Sequence, residues 1–195
     1  MTPTALMTDL IHADLAILAD GLRVRGWRMA TAESCTGGRI AGFCTELAGS
    51  SDWFEGGLVG YSNAAKGALL GVPPTLIERV GAVSEAVALA MAAGALQRLP
   101  GAQLAVAVTG VAGPSGGSAA KPVGTVWLAW AWRVDGQAGG NLIQTFSRLQ
   151  RFDGDRAAVR LATVSAALQG LIDCLEGNAA GHPTVDPPDS TPGTA

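Results

Sequence analysis

Nine residues, Thr31-Ala32-Glu33-Ser34-Cys35-Thr36-Gly37-Gly38-Arg39, constrain the fold more than any other stretch of the chain. Residues 27–31 read as a short strand, and Ile40, Phe43, Cys44 and Leu47 recur at the three- and four-residue spacing of an amphipathic helix. The nonapeptide is therefore a strand-to-helix turn. Such a turn aims unpaired backbone N–H groups and the positive end of a helix dipole at whatever lies above it, and Gly37 and Gly38 permit close approach. Two hydroxyls and a thiol stand together there. The plainer alternative is that Ser34 and Thr36 cap the helix.

A second glycine-rich stretch has the same setting. Leu104-Ala105-Val106-Ala107-Val108 is a near-continuous apolar run, as in a strand buried on both faces, and it ends in Thr109-Gly110-Val111-Ala112-Gly113-Pro114-Ser115-Gly116-Gly117. Both loops thus follow strands, at the edge where open α/β sheets gather their ligands. Between them, residues 57–61 read as a strand and Ser62 or Asn63 caps a short helix carrying Lys66. Pro73-Pro74 restarts a brief helix, and Ser84 heads a long apolar one with Val83, Val87, Met91 and Leu96 as core candidates. Leu10, Ile11, Leu15, Leu18 and Leu22 stripe a first helix that Thr8 starts and Gly26 ends. Residues 125–133 and 142–150 form an antiparallel hairpin around the polar segment 135–140, so the sheet is mixed. Asp153-Gly154-Asp155-Arg156 opens the last helix, with Val159, Ala162, Leu168, Leu171 and Ile172 turned to the core.

The 195 residues, 48% of them hydrophobic, suffice for one sizeable core and fall short of two, so one domain over residues 1–176 is expected. From 177 to 195 the chain is proline-rich without apolar periodicity, a composition that does not offset the entropy of ordering, and a disordered tail is expected. A net charge of −3 with no dense Lys/Arg block argues against a nucleic-acid partner and for a small molecule. The amino-terminal residues lack a basic segment followed by an apolar run, and no stretch approaches roughly 18 apolar residues, which argues against a membrane and for the cytoplasm. Cys35, Cys44 and Cys174 are odd in number and read as reduced, buried thiols.

Elimination narrows the chemistry. The only histidines, His12 and His182, lie on the first helix and in the tail, so a Ser-His-Asp arrangement is not expected, and no cluster has metal-ligand spacing. No metal or cofactor is expected. A nucleophilic Ser34 needs another base, which a lysine depressed by burial can be. Lys66 is the candidate, because Lys121 in the second glycine loop is the only other lysine. The competing reading makes Lys66 a solvated helix residue. Tyr61, the only tyrosine, ends the strand before Lys66, and its hydroxyl can orient Ser34 or relay a proton; packing is the alternative. Cys35 is a rival nucleophile, since a thiol at a helix amino terminus has a lowered pKa.

Several uncommon motifs occur together in one order: residues 31–38, Ala48-Gly49-Ser50-Ser51 with Trp53-Phe54, Tyr61-Ser62-Asn63 with Lys66, Gly81-Ala82-Val83-Ser84, residues 110–117, residues 121–126, and Gly154-Asp155-Arg156. In these the chain resembles, over about residues 8–175, the C-terminal domain of the competence/damage-inducible CinA proteins. The resemblance implies a three-layer α/β/α sandwich with a mixed, mostly parallel sheet. It also implies hydrolysis of the carboxamide of nicotinamide mononucleotide to nicotinate mononucleotide and ammonia, with Ser34 as nucleophile, Lys66 as its partner and Tyr61 assisting. On that reading Thr36, Gly37 and Gly38 belong to the substrate site, with amides near Gly37 and Gly38 meeting the oxyanion. The phosphate falls to the loop of Thr109, Gly110, Gly113, Gly116 and Gly117, with Arg156 as charge partner, the exchange of the two ends between the two glycine loops being the alternative. Larger members of the family carry a nucleotide-processing domain ahead of this unit, and residues 177–195 have no counterpart in it. Two other functions fit the same loops: a nucleotide-binding regulatory module without chemistry, and a homo-oligomerisation domain whose alanine- and glycine-rich helices pair with a second copy.

Overall fold

The computed structural model describes residues 2–135 and 141–177. Five strands, β1 (Met29–Glu33), β2 (Phe54–Val59), β3 (Leu104–Gly110), β4 (Thr125–Asp135) and β5 (Asn141–Arg151), form one sheet in the order β2-β1-β3-β4-β5. β1 pairs in parallel with both β2 and β3, while β4 pairs antiparallel with β3 and β5. Only β4 runs against the others, so the sheet is mixed and mostly parallel, as expected. Six α-helices cover its faces: α1 (Pro3–Arg25), α2 (Arg39–Glu46), α3 (Asn63–Leu70), α4 (Pro74–Val80), α5 (Glu85–Arg98) and α6 (Arg156–Leu175).

The two faces differ in the size of their side chains, and the strand sequences explain why. Met29, Leu104, Val106, Val108, Val126, Leu128 and Trp130 join the core shared with α1, α2 and α6, whereas Ala30, Ala32, Ala105, Ala107, Ala129 and Ala131 join the core shared with α4 and α5. Strand residues alternate between faces, so the alternation of large with small in residues 104–108 and 128–131 builds one thick layer and one thin one. On the thin side α5 can come close. A Cβ on Gly94 would collide with the Leu70 carbonyl, which is how α3 and α5 pack backbone to backbone. On the thick side the Trp130 indole stacks on Phe146, with ring centroids 4.5 Å apart, and donates Nε1–H to the Ala167 carbonyl of α6 at 3.0 Å.

α6 has the length and apolar composition of a membrane span, which the sequence reading did not recognise. In the fold it is a core helix: Val159, Val164, Leu168 and Leu171 are fully buried, and it packs on α1 and the sheet.

Helix ends follow local chemistry, with one correction at the start. α1 begins at Thr2, whose hydroxyl accepts from the Ala5 amide at 3.2 Å, because Pro3 is favoured in a first turn; Thr8 lies inside the helix and donates its hydroxyl to the Thr4 carbonyl. Leu10 is exposed, whereas Ile11, Leu15, Leu18 and Leu22 are buried as expected. Gly26 closes α1 in the left-handed conformation. β1 begins two residues later than the periodicity suggests, at Met29, and β2 earlier, at Phe54. The hairpin of β4 and β5 is present, while its turn at 136–140 and the tail from 178 lie outside the described residues.

Candidate active site

The carboxyl ends of β1, β2 and β3 open side by side onto one edge of the sheet, because all three run in parallel. Ser34 follows β1 directly, and its amide still donates to the Val108 carbonyl of β3 at 3.1 Å. β2 extends its pairing one step further, with Gly60 N–H donating to the Glu33 carbonyl at 2.9 Å. The backbones of Ser34 and Gly60 are thus fixed to neighbouring strands. Ser62 then starts α3, its hydroxyl accepting from the Ala65 amide at 3.1 Å, which places Lys66 in the first turn. Side chains in a helix tilt toward its amino terminus, so Lys66 reaches back over the ends of β2 and β1.

There Lys66 Nζ lies 3.0 Å from Ser34 Oγ, 3.0 Å from the Gly60 carbonyl and 3.0 Å from the Tyr61 carbonyl. Lys66 is only 1% exposed, so the reading of a solvated helix residue is corrected. Burial lowers its pKa from the ordinary lysine value, because the charged amine loses water; the nearby Cys35, when ionised, acts the other way. Cys35 is itself buried beside Ser34, and burial is the main cause that pushes its thiol up to about 11. A lowered thiol pKa, expected of a helix amino terminus, is therefore not found.

Burial is the first reason, and Glu33, a residue the sequence reading passed over, adds to it. Its fully buried carboxylate accepts from the amides of Ile40 at 3.0 Å and Ala41 at 2.9 Å and from the Thr31 hydroxyl at 3.2 Å. The protein's own carboxylate occupies the amino terminus of α2. Neither Ser34 nor Thr36 caps that helix: its N-cap is Gly38, without a side-chain bond. Gly37 and Gly38 have φ of 61° and 90°, a left-handed pair that folds the chain from β1 into α2. The Gly37 amide donates to the Ser34 carbonyl at 3.1 Å and so serves the turn rather than an oxyanion.

A cleft of about 240 Å³ surrounds the pair. Ser34 and Cys35 form one wall, Tyr61, Asn63 and Lys66 a second, Ala82 and Val83 before α5 a third, and Thr109, Gly110, Ala112 and Arg156 the fourth. The structure therefore brings Ser34, Lys66, Tyr61, Thr109, Gly110 and Arg156 together. Thr36, Gly37, Gly38, Gly113, Gly116 and Gly117 do not line this cleft. Tyr61 is 62% exposed at the rim, and it is the main-chain carbonyl, not the hydroxyl, that meets Lys66. Thr109 donates its hydroxyl to the Ala82 carbonyl at 2.8 Å, fixing the third wall, and Arg156 donates to the Gly113 carbonyl at 2.8 Å. Gly110 permits the crowding of β3 against β4, where a Cβ would lie 2.6 Å from the Thr125 carbonyl oxygen. Lys121 is bonded to the Val80 carbonyl at 3.3 Å and does not line the cleft.

A second residue without a sequence assignment is Arg160. It donates to the Thr36 carbonyl at 2.6 Å and so ties α6 to the turn that carries Ser34. Its signal was present: Arg156 and Arg160 are four apart on a helix, hence on one face. Glu33 had no such local signal, because it caps from seven residues before its partner amide. A larger hollow of about 590 Å³ between α3 and α4 is lined mainly by small and apolar side chains, with Glu78 its only ionisable group, and holds no nucleophile.

A serine hydroxyl and a buried amine in contact at the carboxyl edge of a mixed sheet define the class: an α/β protein with a serine-lysine pair in a cleft. The chain belongs to the CinA family, whose C-terminal domain model matches residues 13–175. It is 56% identical to the nicotinamide-nucleotide amidohydrolase PncC of Pseudomonas putida over 80% of this chain and 91% of that protein. With the PncC of Escherichia coli strain K12 it shares 48% identity over 79% of this chain and 88% of that protein. Among solved structures, a CinA superfamily protein from Klebsiella pneumoniae superposes with a TM-score of 0.77 at 37% identity, covering 86% of this chain and 98% of that one. The competence/damage-inducible protein CihA from Agrobacterium tumefaciens gives 0.73 at 46% identity, covering 86% and 96%.

Proposed function

We propose that this protein is a nicotinamide-nucleotide amidohydrolase that converts nicotinamide mononucleotide and water to nicotinate mononucleotide and ammonia, with Ser34 as nucleophile and Lys66 as base. The substrate rests on the relatives named for this activity at 48–56% identity over most of the chain. The roles rest on one observation, the three contacts of Lys66 Nζ. A neutral amine has two N–H donors and one lone pair. The carbonyls of Gly60 and Tyr61 take the two donors, which leaves the lone pair facing Ser34 Oγ and ready to accept its proton.

Ser34 Oγ attacks the carboxamide carbon while its proton passes to Lys66. The ammonium so formed protonates the departing nitrogen, the C–N bond breaks, and ammonia leaves an ester of Ser34. Water enters, Lys66 takes one of its protons, and the hydroxide so generated attacks the ester carbon. The proton returns to Ser34 Oγ as the carboxylate product departs. Tyr61 assists through its carbonyl, which orients the amine, and Arg156 supplies charge for the substrate phosphate. Cys35, protonated at neutral pH, is the weaker nucleophile of the two. A cytoplasmic location is supported by three cysteines that are all free thiols, and self-association is carried forward from the composition of the helices.

The test is ammonia release from nicotinamide mononucleotide by the wild type and by Ser34→Ala. Turnover in the first and none in the second supports the reading. A wild type that binds the nucleotide without releasing ammonia would instead favour a regulatory module.

A further inference from the structure

We propose that the outward face of α1 is an interface between two copies of this chain, which pair antiparallel across it. The inference stands apart from the amidohydrolase reading, since no residue of α1 lines the Ser34 cleft.

Pattern is the first argument. A surface helix of a globular protein needs one apolar stripe, turned to the core. α1 has two. Ile11, Leu15, Leu18 and Leu22 are buried on the inner one, while Leu6, Leu10, Ile17 and Val24 are between 48% and 85% exposed on the outer one. Leu10, Ile17 and Val24 recur every seven residues, the repeat of a helix that packs along another helix, and Leu6 lies one turn before Leu10. Single exposed aliphatic residues are ordinary, whereas a contiguous row of them marks a contact surface. Among the described residues four of the nine large exposed hydrophobic side chains fall on this one helix face. The row runs about 27 Å from Leu6 to Val24 at the helical rise per residue, a seam of several turns and not a point contact.

Charge sets the direction of the pair. Asp9 lies near the start of α1, and Arg23 and Arg25 lie in its last turn. Among the described residues Asp9 and Arg25 form no ion pair, Arg25 being held by the carbonyls of Gly21 and Leu175. A parallel pair would set like charges side by side and align two helix dipoles. An antiparallel pair opposes the dipoles and brings the acidic end of each α1 to the basic end of the other. Centred on Ile17, it stacks Ile17 on its own counterpart and Leu10 on Val24 of the second copy. Asp14 and Asp20 flank the row on opposite sides, so two-fold symmetry keeps these carboxylates apart.

The occupant follows by comparison. A lipid surface calls for lysine and arginine along the flanks of the apolar row, and the flanks of this one carry Asp9, Asp14 and Asp20. The chain from residue 178 onward offers Val185 as its only large aliphatic side chain, too little to cover four. A second α1 presents the same row at the same spacing, and a two-fold contact requires a surface that is complementary to itself.

Sedimentation velocity of the reduced full chain reads the association. The wild type should run as a dimer. Ile17→Asp sets two carboxylates against each other on the symmetry axis and should raise the dissociation constant by about a hundredfold or more. The variant chain should keep its circular dichroism, because Ile17 contributes to no buried cluster. Cross-links decide the matter independently of that variant: in a Cys174→Ser background, Ile17→Cys should oxidise to a disulfide-linked dimer, and Leu10→Cys should join Val24→Cys in preference to itself. A monomeric wild type, or a dimer that Ile17→Asp leaves intact, overturns the proposal. Like-with-like cross-links at both Leu10 and Val24 overturn the antiparallel arrangement. Sedimentation does not depend on turnover, so a chain that releases no ammonia counts against the amidohydrolase reading alone.

Discussion

Lys66 Nζ and Ser34 Oγ stand 3.0 Å apart across 32 residues of sequence, and both side chains are buried. The amine reaches Ser34 from the first turn of α3, and the serine waits at the end of β1. Each other partner of that amine is a main-chain carbonyl, so its orientation depends on backbone rather than on another side chain.

Ser34→Ala should abolish ammonia release, by about 10³-fold or more as for other activated serines, and leave the fold intact. Ser34 Oγ has Lys66 as its hydrogen-bond partner and caps no helix, so its removal leaves both carbonyl contacts of the amine in place. Circular dichroism and a thermal melt check the fold, and full activity in the variant would refute the serine mechanism.

Lys66 should impose a rising pH limb on turnover. Burial lowers its pKa, so the neutral, proton-accepting form grows as pH increases through that lowered value. Lys66→Arg retains charge but cannot release a proton, its pKa exceeding about 12, and should be as inactive as Lys66→Ala. A near-normal arginine variant would make Lys66 a charge-bearing group and not a base.

The same shift carries a stability consequence with a definite sign. Between the folded pKa of Lys66 and the unfolded value, the unfolded chain binds more protons, so the Lys66 contribution to stability improves as pH rises through that window. Lys66→Met, which carries no charge, should be the more stable protein at neutral pH, with the gap closing toward alkaline pH. Denaturant titrations of both proteins at several pH values measure the gap; a gap independent of pH would contradict the shift.

Cys35→Ser should keep activity within about tenfold, because a thiol pushed up to about 11 is almost wholly protonated at neutral pH. Iodoacetamide should likewise alkylate Cys35 slowly near pH 7, as mass spectrometry would show. Loss of activity in Cys35→Ser alone would transfer the nucleophile to the thiol.

Glu33→Ala should destabilise by about 3 kcal/mol, since it strands the buried amide of Ile40 and the half-buried amide of Ala41 at roughly 1–3 kcal/mol each. Because Glu33 immediately precedes Ser34, kcat should fall as well, and Glu33→Gln, which keeps one acceptor oxygen, should recover part of both. Urea unfolding and turnover measured together test this; an unchanged midpoint in Glu33→Ala would remove the capping role.

By itself the sequence determined whatever depends on neighbours along the chain. A near-continuous apolar run placed β3, two strand-like runs around a polar turn placed β4 and β5, period-3.6 spacing placed α2, α5 and α6, and Gly26, the pair Ser62 and Asn63, and residues 153–156 marked helix ends as local chemistry requires. It also put both glycine loops at strand ends, and the serine and lysine in the right elements. The tertiary structure decided what depends on register between distant segments. Only the parallel pairing of β1 with β2 sets the start of α3 over Ser34, and only the packing of α3 removes Lys66 from water. Only the folded turn shows that the amino terminus of α2 is already answered by Glu33, and only the docking of α6 brings Arg160 to Thr36. Local periodicity reports which face of an element is apolar; it carries no information on which distant element that face will meet, and burial, pKa and reach all follow from that meeting.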